Sequence, residues 1–170
     1  MMDTYLAIAS KRDTRGYADR PIPADVAERI LDAGRVAGSA KNRQPWRFVV
    51  VEDPGARERL AETVYEPGNV RGAALVVALL TPGGRYAFDA GRAAQNMMLA
   101  AWNEGVASCP NGMPDSEQTA AALGLGEEER PVVVLTFGYA AKERRPESRP
   151  AGEWSARADR KLLDEIVSRQ

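Results

Sequence analysis

Three runs of branched and aliphatic residues limit what this chain can fold into. Residues 48–51 (Phe-Val-Val-Val), 75–80 and 131–137 are each of strand length and carry almost no polar residue. A strand without polar alternation is expected to be buried on both faces, and so to need helices as covering layers. The intervening segments carry helical signals. Residues 3–12 read as a short helix with Tyr5, Leu6, Ile8 and Ala9 inward, after which Pro21 and Pro23 hold the chain extended. A second helix is predicted from Ala24, with Val26, Ile30, Ala33 and Ala37 at helical spacing and Gly38 as its stop. Asp53-Pro54 opens a third with Leu60 and Val64 inward, broken over residues 65–68. Residues 86–104 form the longest helical pattern, rich in Ala and Met and ended by Gly105. A short strand over 106–109 is expected to run into a turn at Pro110-Asn111-Gly112, followed by a helix over 115–123. Residues 140–154 are charged, proline-containing and aperiodic, and read as a linker or surface arm before order resumes at 157–167. The expectation is one domain over residues 1–170, α/β or α+β, with three or four strands.

The chemistry is limited by what is missing. The 170 residues include no histidine and one cysteine, so a Ser-His-Asp or Cys-His nucleophile and any His-containing zinc site are excluded. Cys109 cannot form an intrachain disulfide, and no carboxylate loop of the EF-hand type is present, so no metal is expected. A net charge of −1 provides no global field for nucleic acid or an anionic membrane. The start Met1-Met2-Asp3 does not resemble a signal segment, and the longest apolar run is strand-length, so a soluble cytoplasmic protein is expected. An organic cofactor or substrate is expected to carry any reaction.

Three clusters place polar groups on loops beside buried elements. Lys11-Arg12-Asp13-Thr14-Arg15 puts three cations in five residues, which suits a phosphate or a solvated helix end. Ser39 to Gln44, just before Pro45-Trp46, offers the amides of Asn42 and Gln44, suited to an aromatic imide or sugar hydroxyls, or to a plain turn. Trp46 reads as core. Ser108-Cys109-Pro110-Asn111-Gly112 could present backbone amides at close range because Gly112 lacks a side chain, while Cys109 reads as a small buried hydrophobe. No dinucleotide-binding glycine motif stands between a strand and a helix.

Taken in order, these segments resemble the nitroreductase family. Lys11-Arg12-Asp13-Thr14-Arg15-Gly16-Tyr17 is similar to its opening basic motif, and Ala37-Gly38-Ser39-Ala40-Lys41-Asn42-Arg43-Gln44-Pro45-Trp46 to its Asn-x-Gln-Pro-Trp signature. Asp89 to Ala101 resembles its central dimer helix, Leu123-Gly124-Leu125 through Gly138-Tyr139 its late strand, and Arg160-Lys161-Leu162-Leu163-Asp164-Glu165-Ile166-Val167 its closing segment. The resemblance spans essentially the whole chain. It implies an α+β three-layer fold with a mainly antiparallel central sheet flanked by helices, as a homodimer whose C-terminal arm, residues 140–170, extends onto the partner.

It also implies FMN. Lys11, Arg12, Asp13 and Arg15 match the positions at the phosphate and flavin edge, and Arg160 or Lys161 the late basic residue of the phosphate pocket. Gly38, Ser39, Ala40 and Asn42 match the loop a partner lays against the flavin, braced by Gln44. Asn111 and Gly112 match the turn whose backbone approaches flavin N5, so no side chain need be catalytic. The implied activity is ping-pong hydride transfer from NAD(P)H through flavin to a small organic acceptor such as a nitroaromatic or quinone. A non-catalytic flavin-binding, storage or sensing module and a flavin-consuming or dehalogenating reductase are the alternatives. The chain departs from the family pattern at Asp13, where a serine is usual, at Pro110-Asn111-Gly112, and in the short span from Val64 to Gly84, which leaves little chain for a lid.

Overall fold

The computed structural model describes residues 2–170. The helices are α1 (Thr4–Ser10), α2 (Ala24–Arg35), α3 (Pro54–Ala61), α4 (Pro67–Gly72), α5 (Ala87–Asn103), α6 (Ser116–Ala122), α7 (Ala151–Ala156) and α8 (Leu163–Ile166). The strands are β1 (Arg47–Val50), β2 (Leu75–Pro82), β3 (Ala107–Asn111) and β4 (Glu129–Gly138). They fall into two compact units, Arg12–Arg144 and the segment ending at Lys11 together with Arg145–Gln170.

In the larger unit the four strands form one antiparallel sheet in the order β1-β2-β4-β3. Alternate residues of β2 and β4 serve two separate cores. Leu75, Val77, Leu79, Leu135 and Phe137 pack with Val26 and Ile30 of α2 and Ala93, Met97 and Ala101 of α5. Val76, Ala78, Leu80 and Val134 pack on the other face with Leu60 of α3 and Val70 of α4. The fold is therefore α+β, a sheet with helices on both faces. The central strand β2 is buried along all but its last residue, which accounts for its unbroken apolar sequence.

Local chemistry sets most element ends. Asp53 Oδ1 accepts the Ala56 amide at 2.7 Å with Pro54 in the first turn of α3, and Asp115 Oδ1 accepts the Glu117 amide at 2.8 Å before α6. Gly105, at φ +73°, takes the left-handed conformation that ends α5. Gly34 lets α2 and α5 approach closely, since a Cβ there would lie 2.8 Å from Met97 Cγ and Sδ.

Several expectations change. The run at residues 48–51 reads as doubly buried, yet β1 is a sheet edge and Phe48, Val49 and Val50 are only half-buried. Helix α2 stops at Arg35, three residues before Gly38, and Gly38 instead makes room for Arg92, whose Nη2 would lie 2.6 Å from a Cβ. Pro110 and Asn111 do not form a turn. They continue β3, where an edge position tolerates a proline without an amide. The stretch broken at 65–68 re-forms as α4, unpredicted because Pro67 and Gly68 read as breakers although proline suits a first helical turn.

In the smaller unit, Asp3 caps α1 through the Tyr5 and Leu6 amides, and α1 packs on α7. Trp154 Nε1 donates to Pro146 O at 2.7 Å, and the Arg149 guanidinium lies over the Trp154 ring. Tyr5 and Ile8, expected inward, are exposed, as are Leu162, Leu163, Ile166 and Val167.

Candidate functional site

The first and third clusters meet along one sheet edge. Asp13 pairs with Ser108 as a parallel bridge, and the Thr14 amide donates to Ser108 O at 3.0 Å. The following residues run beside the end of β4, with Tyr17 bridged to Ala140, the Ala141 amide donating to Gly16 O at 3.0 Å, and the Ala18 amide to Tyr139 O at 2.8 Å. This path places residues 13–16 against residues 140–144. Between them lies a cavity of about 360 Å³ lined by Asp13, Thr14, Arg15, Gly16, Ala140, Ala141, Lys142 and Arg144. Three cations against one carboxylate make it electropositive within an almost neutral chain. Lys142 and Arg144 were not among the sequence candidates. They lie in an aperiodic stretch, and only the Tyr17–Ala140 bridge brings them to Arg15.

Asn111 is 4% exposed, and its side chain points into the fold. Its Nδ2 faces Cys109 O, Val134 O and Thr136 Oγ1, each at 3.1 Å, while its Oδ1 accepts from Asn69 Nδ2 at 2.8 Å. Thr136 Oγ1 lies 2.9 Å from Tyr17 Oη, which also donates to Thr136 O at 3.2 Å. Burial pushes the Tyr17 phenol up, well above its ordinary range, so it stays neutral and able to donate. The Tyr17 ring lies against Gly138, where a Cβ would come within 2.8 Å of it. This buried network ties the chain after the first cluster to the strand carrying the third, and fixes the Asn111 backbone from inside.

Gly112 follows at the end of β3, where the Tyr65 amide donates to its carbonyl oxygen at 3.1 Å. Cys109 is buried and not disulfide-bonded.

The second cluster stands apart from both. Residues 38–44 form an exposed loop with a single 3-10 turn over Ala40–Asn42. Gln44 spans it, its amide donating to Ser39 Oγ at 2.8 Å and its Nε2 to Asn42 Oδ1 at 3.1 Å. Lys41, Asn42 and Gln44 all have positive φ, an accumulation of backbone strain of the kind that clusters at ligand-binding loops. The loop feeds into β1, where Arg47 pairs with Leu80 of β2, itself opposite Pro131 of β4. Ser108 of β3 is opposite Phe137 of β4, six residues further along that strand. Three inter-strand steps of roughly 4.8 Å and this offset at about 3.3 Å per residue put the two regions on the order of 20 Å apart.

Lys11, Arg160 and Lys161 belong to the smaller unit. Lys11 caps α1 through its amide, which donates to Ala7 O, and Arg160 Nη1 donates to Ala158 O at 2.9 Å. Arg12 is half-buried at the start of the larger unit. Among the described residues no group of three or more His, Cys, Asp or Glu could hold a metal ion, and no helix is long and apolar enough to cross a membrane.

Comparison with known proteins supplies a family. The model of the nitroreductase family matches residues 8–88 and 82–139. An Archaeoglobus fulgidus protein provisionally named an NADH dehydrogenase/NAD(P)H nitroreductase is 34% identical over 156 residues, covering 85% of this chain and 89% of its own. A provisionally named nitroreductase from Desulfovibrio desulfuricans, solved in complex with FMN, superposes with a TM-score of 0.84 at 25% identity, over 100% of this chain and 98% of its own. A nitroreductase family protein from Clostridium difficile superposes with a TM-score of 0.82 at 23% identity, covering 98% of both chains. With this fold, and with the basic, Asn-x-Gln-Pro-Trp and central-helix segments all inside the matched region, the chain belongs to the nitroreductase family of oxidoreductases.

Proposed function

We propose that the protein is an FMN-dependent oxidoreductase that works as a homodimer, each flavin held by both copies. The carrying observation is the separation of the clusters: the phosphate-type cavity and the 38–44 loop lie at opposite edges and opposite ends of one sheet. A second copy related by a two-fold axis would bring its loop to the first copy's cavity and return the favour, giving two equivalent sites. Two unmatched surfaces support the same pairing. Among the described residues the outer edge of β1 is unpaired, near a groove of about 850 Å³ where Leu31, Trp46 and Phe48 lie beside charged residues of α2, and the C-terminal segment exposes Leu162, Leu163, Ile166 and Val167. Of the arm over residues 140–170, residues 140–144 stay against residues 13–16 of their own chain and the part after Arg144 extends onto the partner, with residues 1–170 acting as one FMN-binding domain.

The residues present fit FMN. Arg15, Lys142 and Arg144 supply charge-assisted donors for the phosphate, with Arg12 nearby in sequence. Lys11 and Arg160 or Lys161 are further phosphate ligands on the family resemblance alone. Asp13, which lines the same cavity, limits its net charge. The partner's 38–44 loop, through Gly38, Ser39, Ala40, Asn42 and Gln44, presents backbone and amide groups to the flavin ring. The backbone at Asn111 and Gly112, beside the Asn69–Asn111–Thr136 side-chain network, would be the donor toward the flavin.

Bound there, FMN would supply the redox chemistry of a ping-pong reaction between NAD(P)H and a small organic acceptor. The chain's own contribution is to bind, orient and exclude competing geometries, so no histidine is needed. Purified protein should be yellow, or become so with added FMN, and the bound flavin should bleach within seconds on anaerobic addition of NADH or NADPH. Failure to bind FMN would refute the reading. Binding without bleaching by either nucleotide would leave a flavin-storage or sensing module.

A further inference from the structure

Tyr65 is 69% exposed, although aromatic side chains of its size ordinarily bury most of their surface. Its place is nevertheless fixed. Its amide donates to Gly112 O at 3.1 Å, and the Cδ2–Cε2 edge of its ring lies beside Gly112, where a Cβ would sit 3.2 Å from Cδ2 and 3.3 Å from Cε2. Gly112 is not among the glycines with positive φ, so its backbone does not require glycine, and a Cβ there would crowd the Tyr65 ring and displace it by a few tenths of an ångström. One edge of the ring thus rests against Gly112 just past β3, and the ring remains open to solvent. It stands between α3 and α4, within the short connection to β2 where a lid would otherwise be built.

We infer that Tyr65 is the residue that selects planar aromatic acceptors, offering its exposed ring as a stacking platform beside the end of β3 at Asn111–Gly112. The inference rests on the proposed placement of that strand end against the flavin. A planar acceptor would lie with one edge over the reacting position and its body against the Tyr65 ring, which the Gly112 contact limits on one side. The platform replaces, with one side chain, the enclosure that a longer lid would give. It favours flat aromatic compounds over saturated compounds of equal size and charge.

The test uses oxidised FMN-loaded protein without nucleotide, so that nothing turns over. Dissociation constants are measured by calorimetry for benzoate and for cyclohexanecarboxylate, which share a carboxylate and six-membered ring but differ in planarity. In Tyr65→Ala, benzoate should weaken roughly 3- to 10-fold, the range of one aromatic stacking contact, while cyclohexanecarboxylate shifts less than about 2-fold. Tyr65→Phe should keep wild-type discrimination, and FMN affinity should be unchanged in both variants. Equal shifts for the two probes, or none, would overturn the inference, as would loss of FMN affinity in Tyr65→Ala, which would make Tyr65 part of the flavin pocket. Wild-type protein that does not bind FMN at all would instead refute the underlying functional reading.

Discussion

Replacing Asn111 tests whether β3, whose end is proposed to face the flavin, is held from inside. Its carboxamide is 4% exposed, donates from Nδ2 among three acceptors at 3.1 Å, and accepts from Asn69 at 2.8 Å. Asn111→Ala removes these bonds and leaves Asn69 Nδ2 with only Cys109 Sγ at 3.9 Å, a weak acceptor. An orphaned buried amide costs about 1–3 kcal/mol and each lost net bond about 1 kcal/mol, so a loss of about 3–4 kcal/mol is expected. Asn111→Asp keeps the shape but faces a carboxylate toward two carbonyl oxygens and a hydroxyl, which is worse at neutral pH than the cavity. Burial and those acceptors would raise that carboxyl's pKa in the fold above its unfolded value of roughly 3.9. The variant's stability should therefore be greatest below that value and fall as pH rises through the folded pKa. Urea unfolding from pH 4 to pH 8, compared by midpoint at constant slope, reads both effects. Wild-type stability of Asn111→Asp at pH 7 would refute the inward network.

The cavity cations make a second test: Arg15→Ala or Arg144→Ala should weaken FMN roughly 10- to 100-fold, the value of a charge-assisted bond, yet leave riboflavin affinity unchanged because it lacks the phosphate. Fluorescence titration with both flavins would decide, and equal losses would place these residues elsewhere. Gly138→Ala puts a Cβ 2.8 Å from the Tyr17 ring and should cost about 1–3 kcal/mol by overpacking, read by thermal or urea unfolding. Arg47 clasps Glu129 at 2.6 and 2.5 Å, tying β1 to the start of β4, and holds its carboxyl below the ordinary 4.5. This pair stabilises above about that pH and loses its effect as pH falls through the lowered value, so a Glu129→Gln deficit of at most ~1 kcal/mol should vanish in acid.

Much of the layer structure is legible in sequence because it rests on local signals. The runs in β2 and β4 are apolar because both faces are covered, and Asp53-Pro54 and Gly105 mark helix ends through capping and left-handed backbone. What failed depends on strand order. Residues 48–51 are as apolar as β2, but only the sheet order makes β1 an edge, and Pro110 reads as a turn residue until β3 proves to be the other edge. The basic and amide-rich clusters stand out by composition, whereas Lys142 and Arg144 carry no periodic signal and enter only because Tyr17 bridges to Ala140. The inward anchoring of Asn111 is likewise invisible locally, since Asn69, Val134 and Thr136 are distant in sequence. The exposed C-terminal apolar residues match the family's closing segment, but their purpose depends on a second copy.

The central claim is that each flavin site joins the cavity of one copy to the 38–44 loop of the other, and mixed dimers test it directly. One chain carries Arg15→Ala with Arg144→Ala, the other Ser39→Ala with Asn42→Ala, and differently tagged chains are co-expressed and the heterodimer isolated. Each homodimer should bind FMN poorly. In the heterodimer one site collects both sets of defects and the other none, so the account predicts one FMN per dimer at wild-type affinity. A heterodimer with no restored site would contradict it and assign each flavin to a single chain.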